Sequence, residues 1–208
     1  NIDSDGIPYP IFSYLAVVPW TYFSSTMTGS TNSLISGANI YTKVYFPRII
    51  IPITPVLSGL VDFFISLLIV GLLLYYYSIF PTINIIYIPV LTFIMILTSA
   101  GIGMWLSALA VQYRDIRFAT QFLSQLLMYA APVVWPVSLI SENFGEKIKL
   151  LYSLYPMVGV IEGFRCSVIG HNPMPWDMIF IGALSGTFLF ISGAIYFKKK
   201  EHIFADVA

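Results

Sequence analysis

The sequence predicts an all-α, polytopic transmembrane protein, and three observations carry that prediction. Of its 208 residues 58% are hydrophobic and only 10% are charged, with a mean hydropathy of +0.84, a balance that a water-exposed domain does not have. Five apolar stretches reach the length of about 20 residues that a bilayer core requires. The positive charges between them are asymmetric: Lys43 and Arg48 follow the first stretch, Arg114 and Arg117 the third, and Lys198, Lys199 and Lys200 the fifth. Such a bias places those three loops in the cytoplasm.

The elements follow in order. Asn1 to Asp5 is polar, acidic and without an initiator Met. The first span covers residues 11–30 and is the weakest of the five, interrupted by Pro19 and by Ser24, Ser25 and Thr26. The second covers 49–77, the third 83–111, the fourth 118–140 and the fifth 176–197. With Lys43 and Arg48 inside, Asn1 falls outside, so an odd count with an external, Met-less start predicts an earlier cytoplasmic segment and one further helix. Six spans with both ends inside would complete the plan. The chain is read as a single transmembrane domain over residues 1–208, without internal repeats or a loop long enough to fold alone.

One apolar segment resists the crossing pattern. Residues 148–169 could span, but they hold Pro156, Glu162 and Arg165 with Gly159 and Gly163, and a crossing there would put Lys198 to Lys200 outside. The reading that keeps the charge rule is a pair of short helices, broken near Tyr155-Pro156, that dips in from the outer face and returns. Non-helical backbone at that depth needs protein or water to satisfy it, which marks a gate. The plainer alternative is an interfacial amphipathic hairpin.

Candidate functional residues are few. The loop from Lys43 through Tyr45 and Phe46 to Arg48 is both basic and aromatic, suited to docking a soluble partner, although snorkelling cations alone would explain Lys43 and Arg48. The tight turn of Tyr113, Arg114 and Asp115 reads as an anchor, with Asp115 able to pair with Arg114 or Arg117. Asp62 is the only ionisable residue deep within a span and is expected at a helix interface, since an isolated membrane carboxylate is costly. Gln121 and Gln125 share a helix face and could bond across helices. Glu162 and Arg165 stand three apart, as a helical ion pair would. Cys166 is the only cysteine, so no intrachain disulfide or cysteine metal cluster forms. His171 and His202 fall on opposite sides, which argues against a metal or nucleophile site. There is no phosphate-binding Gly-rich loop, and zero net charge gives no reason to expect nucleic acid.

Six strings occur in one order along the chain: Pro19-Trp20 with Phe23; Lys43-Val-Tyr-Phe-Pro-Arg48 followed by Pro52; Tyr113-Arg-Asp115; Pro132-Val-Val-Trp-Pro136; Ile161-Glu-Gly-Phe-Arg165; and Phe204-Ala-Asp206. In that order the chain resembles the membrane (permease) subunit of ABC exporters for bacterial surface polysaccharides, the O-antigen, capsule and teichoic-acid permeases. The resemblance covers nearly the whole chain. It implies a helical permease of six spans in the bacterial cytoplasmic (inner) membrane, working as a homodimer with two nucleotide-binding ATPase subunits. ATP and Mg would be bound by that partner, with no cofactor in this chain and no catalysis by it. Lys43, Tyr45, Phe46 and Arg48 would form the coupling helix, and Tyr155, Pro156, Glu162 and Arg165 the outer gate. Tyr129 and Trp135 would be candidates to line a conduit for lipid-linked (undecaprenyl-linked) polysaccharide, because sugar rings slide over aromatic faces.

Two other functions compete. A related ABC permease for drugs or small lipids would share the fold. A membrane-embedded glycosyl- or acyltransferase would need clustered acids or histidines, and the sequence has only scattered ones.

Overall fold

The computed structural model describes residues 8–37, 46–140, 145–170 and 172–201. Among them lie seven α-helices: α1 (Tyr9–Ser36), α2 (Ile50–Tyr76), α3 (Ile88–Gln112), α4 (Ile116–Ala130), α5 (Glu146–Tyr152), α6 (Pro156–Ile169) and α7 (Trp176–Lys200), with a 3-10 turn at Ile83–Tyr87 leading into α3. The described chain is helical throughout its regular structure, as its composition requires of a protein whose backbone must satisfy itself in lipid.

Three helices are spans outright by length and apolarity: α2, the 3-10 turn continuous with α3, and α7. The α1 helix has 28 residues, or about 42 Å, ample for a crossing, but it is rich in hydroxyls. Thr26, Ser30 and Thr31 are buried against protein rather than lipid. Thr26 Oγ1 donates to Tyr22 O at 2.8 Å, Ser30 Oγ to Pro52 O at 2.7 Å, and Tyr22 Oη to Val56 O at 2.8 Å. Polar residues are tolerated in this helix because one side of it is enclosed by its neighbours.

The fourth span departs from expectation. Its helix ends at Ala130, ten residues short of the predicted limit, because Pro132 and Pro136 cannot donate the helical hydrogen bonds and push the preceding residues to extended backbone; Ala131 accordingly has ψ 149°. At 15 residues, about 22 Å, α4 is shorter than a hydrocarbon core of about 30 Å. A hydrogen bond of 2.7 Å between Ser24 Oγ and Ser124 Oγ fixes α4 against the middle of α1. The outer part of this crossing is made by irregular backbone, residues 131–137.

The broken pair between the fourth and fifth spans is present. Its two helices, α5 and α6, meet at Ser153, Leu154 and Tyr155. The break lies at membrane depth: Tyr155 meets Phe23 of α1 with ring centroids 6.5 Å apart, and Pro156 lies against Gly182, six residues or about 9 Å along α7. From there α6 climbs back to the outer end, where Val168 O accepts the backbone N–H of Thr82 at 3.2 Å. It stops at Gly170, whose φ of 70° a side chain would strain and against which Thr82 is packed. Every residue of α6 from Pro156 to Val168 is buried, so this helix is core and does not lie along a membrane surface. Its polar residues Glu162, Arg165 and Ser167 are buried with the rest, which requires partners inside the protein.

The tightest seam joins α3 to α7, which run parallel. A Cβ on Gly101 would stand 2.6 Å from the Leu189 carbonyl carbon, and one on Gly193 2.4 Å from Gly101 O. Small residues permit such backbone contact, the usual way membrane helices associate when apolar burial gives no preference over lipid. The opposite stripe of α7, including Phe180, Leu184, Phe188, Ile191 and Ile195, is exposed and apolar apart from Thr187, whose hydroxyl donates to Ala183 O at 2.7 Å within the helix, as a lipid-facing surface allows.

Candidate functional site

The described residues singled out in the sequence fall into four places. At the outer end, Arg165 is 4% exposed and gathers four partners. Its Nη2 donates to Val133 O at 2.9 Å, its Nε to Phe12 O at 3.4 Å, and its Nη1 to Trp135 O at 3.5 Å and to Glu162 Oε2 at 3.4 Å. The guanidinium carbon also sits 3.7 Å from the Phe12 ring centroid. The expected Glu162–Arg165 pair therefore exists, but it is buried and is one part of a larger clamp. The guanidinium supplies donors to carbonyls that the break in the fourth span leaves without helical partners, which is how irregular backbone persists at this depth.

Trp135 belongs to the same clamp. Its ring stacks on Tyr152 at 5.9 Å and 28°, while Tyr152 Oη donates to Ala130 O at 2.6 Å, satisfying a carbonyl at the end of α4. Tyr155 and Pro156 form the bend below. The second predicted conduit residue, Tyr129, lies elsewhere: it is 78% exposed on α4, in a face with Phe118, Gln121, Phe122, Gln125 and Leu126, all exposed. Gln121 and Gln125 thus do not pack against a neighbouring helix of this chain. Only Thr120 and Ser124 of α4 are buried, and two exposed amides among aromatics make a surface more polar than the stripe of α7, whose one hydroxyl is bonded within its own helix.

At the opposite end of the bundle, Arg48 Nη1 donates to Glu201 O at 2.8 Å, bringing the loop before α2 to the end of α7, as the charge pattern requires. Phe46 packs on a cluster of Leu34, Met104, Ala108 and Phe197, drawn from α1, α3 and α7. Lys43 and Tyr45 lie outside the described residues, as do His171 and His202. Tyr113, Arg114 and Asp115 are exposed in the turn between α3 and α4. Asp115 accepts the Ala119 backbone N–H at 2.9 Å through its main chain, and among the described residues its carboxylate makes no ion pair; adjacent side chains such as Arg114 do not face each other.

Asp62 corrects the sequence reading. It is exposed at the middle of α2 and not packed between helices of this chain, because α2 turns Val56, Phe63 and Val70 inward and Asp62 projects away from that row.

Sequence reasoning missed the carbonyls that Arg165 holds, the Tyr152 cap and the Ser24–Ser124 bond. The two prolines of Pro132-Val-Val-Trp-Pro136 were a signal for the break, though not for its partner.

Comparison with known proteins agrees with this architecture. The profile of the ABC-2 type transporter family matches residues 3–168. An O-antigen export system permease protein, RfbA, of Myxococcus xanthus is 26% identical over 194 residues, covering 93% of this chain and 74% of that protein. An RfbA permease of Klebsiella pneumoniae is 24% identical over 200 residues, covering 96% of this chain and 75% of its own. A fourth crossing broken after Ala130, a helix pair broken at Ser153 to Tyr155 and a multi-pass bundle thus occur in a chain that belongs to the ABC-2 type transporter family of membrane permeases.

Proposed function

We propose that this chain is the channel-forming subunit of an ATP-driven exporter of undecaprenyl-linked surface polysaccharide such as O-antigen. It would act in the bacterial inner membrane as a homodimer, with two nucleotide-binding ATPase subunits that hold ATP and Mg. The observation that carries this reading is the exposed face of α4. Phe118, Phe122 and Tyr129 offer rings on which sugars stack, and Gln121 and Gln125 offer amides that bond hydroxyls weakly enough to release them. A face of that chemistry is poorly suited to lipid. Two copies facing each other across a dimer axis would enclose it as a conduit. The names of the RfbA relatives support the same substrate class.

Coupling would run through the loop at residues 43–48. Phe46 is seated among side chains of α1, α3 and α7, so a push from an ATPase on this loop reaches three helices at once. Arg48 ties the same loop to the end of α7. At the other end the Arg165 clamp joins the broken fourth crossing to α1 and α6, where the gate would open.

Deleting the gene and analysing surface and cytoplasmic polysaccharide separately by gel tests this reading. Loss of surface polymer with lipid-linked polymer accumulating inside is expected. An unchanged surface profile with no internal accumulation would transfer the assignment to a permease for drugs or small lipids.

A further inference from the structure

At the outer end of the bundle a cavity of about 510 Å³ opens between the re-entrant pair and the start of α7, within the size range of small-molecule sites. Neither the α4 face nor the coupling loop uses it. Its lining includes Ser138, Lys149, Glu162, Asn172, Trp176 and Asp177. These side chains are held from several directions. Glu162 is paired with Arg165 at 3.4 Å and Lys149 with Glu146 at 3.5 Å. Trp176 is 49% exposed, yet its ring is set edge-on against Tyr87 at 4.8 Å and 90°. Pro173 and Pro175, also in the lining, stiffen the segment that carries Asn172 and Trp176.

We propose that this cavity binds one uncharged or amino-bearing saccharide unit. Two carboxylates, an amide, a hydroxyl and an ammonium supply acceptors and donors in the mixture that a ring of hydroxyl groups requires. The indole supplies an apolar plane against which the C–H face of a sugar can lie. The charge balance decides between classes of sugar. Among the described residues of the lining Glu162 is balanced by Arg165 and Lys149 by Glu146, which leaves the Asp177 carboxylate to set the sign, so an anionic unit would meet net repulsion. The choice of a saccharide over another polyhydroxylated ligand rests on the export reading. The cavity would then hold a sugar of the emerging polymer where it leaves the membrane.

Saturation-transfer NMR on the full transporter with its ATPase partner in nanodiscs tests this, with triacetylchitotriose as the neutral probe and trigalacturonate as the anionic one. Chitotriose is expected to bind saturably, and Trp176→Ala and Asp177→Asn each to weaken it about tenfold. Trigalacturonate is expected to give no saturable signal. Both substituted residues are exposed, so the variants retain the fold, which their elution profile verifies. No chitotriose binding to the parent protein, equal binding by both variants, or tighter binding of trigalacturonate would overturn the proposal. The gene deletion separates the two readings. Binding together with an unchanged surface polymer keeps the cavity and removes export, while intact export without binding removes the cavity alone.

Discussion

Arg165 and Val133, 32 residues apart in sequence, are joined by a hydrogen bond of 2.9 Å from the guanidinium to the backbone carbonyl. Val133 lies in the non-helical part of the fourth crossing and Arg165 in the helix that returns from the re-entrant break. The bond turns two irregularities into one structure: a membrane-depth backbone without helical partners and a buried cation without bulk water. Each satisfies what the other lacks.

Removing the cation should therefore harm the fold more than removing its carboxylate partner. Arg165→Met removes a donor from the buried Glu162 carboxylate and from the Val133, Trp135 and Phe12 carbonyls, at an expected cost of about 3–5 kcal/mol. Glu162→Leu leaves Arg165 with its carbonyl acceptors and should cost distinctly less. Thermal unfolding in detergent measures both, and equal losses would mean that the ion pair, not the carbonyl clamp, holds the segment.

The α3–α7 seam makes a second prediction. Gly101→Ala places a methyl 2.6 Å from the Leu189 backbone, and since backbone cannot yield as a side chain does, it should destabilise by about 1–3 kcal/mol. Gly71→Ala in α2, with nothing within 4 Å, should be neutral or stabilise by up to about 1 kcal/mol through lost chain entropy. The two unfolding midpoints, compared with the parent, should move in opposite directions or only the first should fall.

Charge reversal at Arg48 should uncouple transport. Arg48→Glu removes the donor to Glu201 O and places a carboxylate against that carbonyl, while the helices that insert are unchanged. Membrane immunoblotting should find the protein at normal level, and the surface gel should show no polymer. Normal export by this variant would end the coupling role.

The α4 face should govern rate and not stability. Tyr129 is 78% exposed, so Tyr129→Ala should leave the unfolding midpoint within about 0.5 kcal/mol of the parent and slow export several-fold, with Tyr129→Phe near normal because stacking needs the ring. Pulse-chase labelling of surface polymer reads the difference. An equal export rate for Tyr129→Ala would remove this residue from the conduit.

Sidedness has a direct check. In a Cys166→Ser background, Lys147→Cys in α5 should react with an impermeant maleimide from outside intact spheroplasts, and Lys199→Cys only after permeabilisation. Both positions are exposed, so a reversed pattern would invert the topology.

Much of this architecture was legible from the chain alone because it depends on properties that residues carry individually. Apolar length set α2, α3 and α7, the basic residues assigned the ends, and Pro156 with its neighbouring glycines announced a break that the structure places at Ser153 to Tyr155. Pro132 and Pro136 were equally visible, but the fourth span was read through them, since hydropathy continues past the point where hydrogen bonding stops. Asp62 was misread for a related reason: its cost in lipid says that it needs polar surroundings, not that a helix of this chain provides them.

What the sequence by itself determined is the class of protein, the apolar length of α2, α3 and α7, and the position of the break between α5 and α6, all consequences of local hydropathy and backbone restriction. Only the tertiary structure decided that α6 is core, that Arg165 reaches Phe12 across 153 residues, that Phe46 turns inward onto α1, α3 and α7, and that α4 leaves a face of amides and rings uncovered. Those depend on which segments meet, and a hydrogen bond or a packed ring exists only once distant backbone has brought its two halves within a few ångströms.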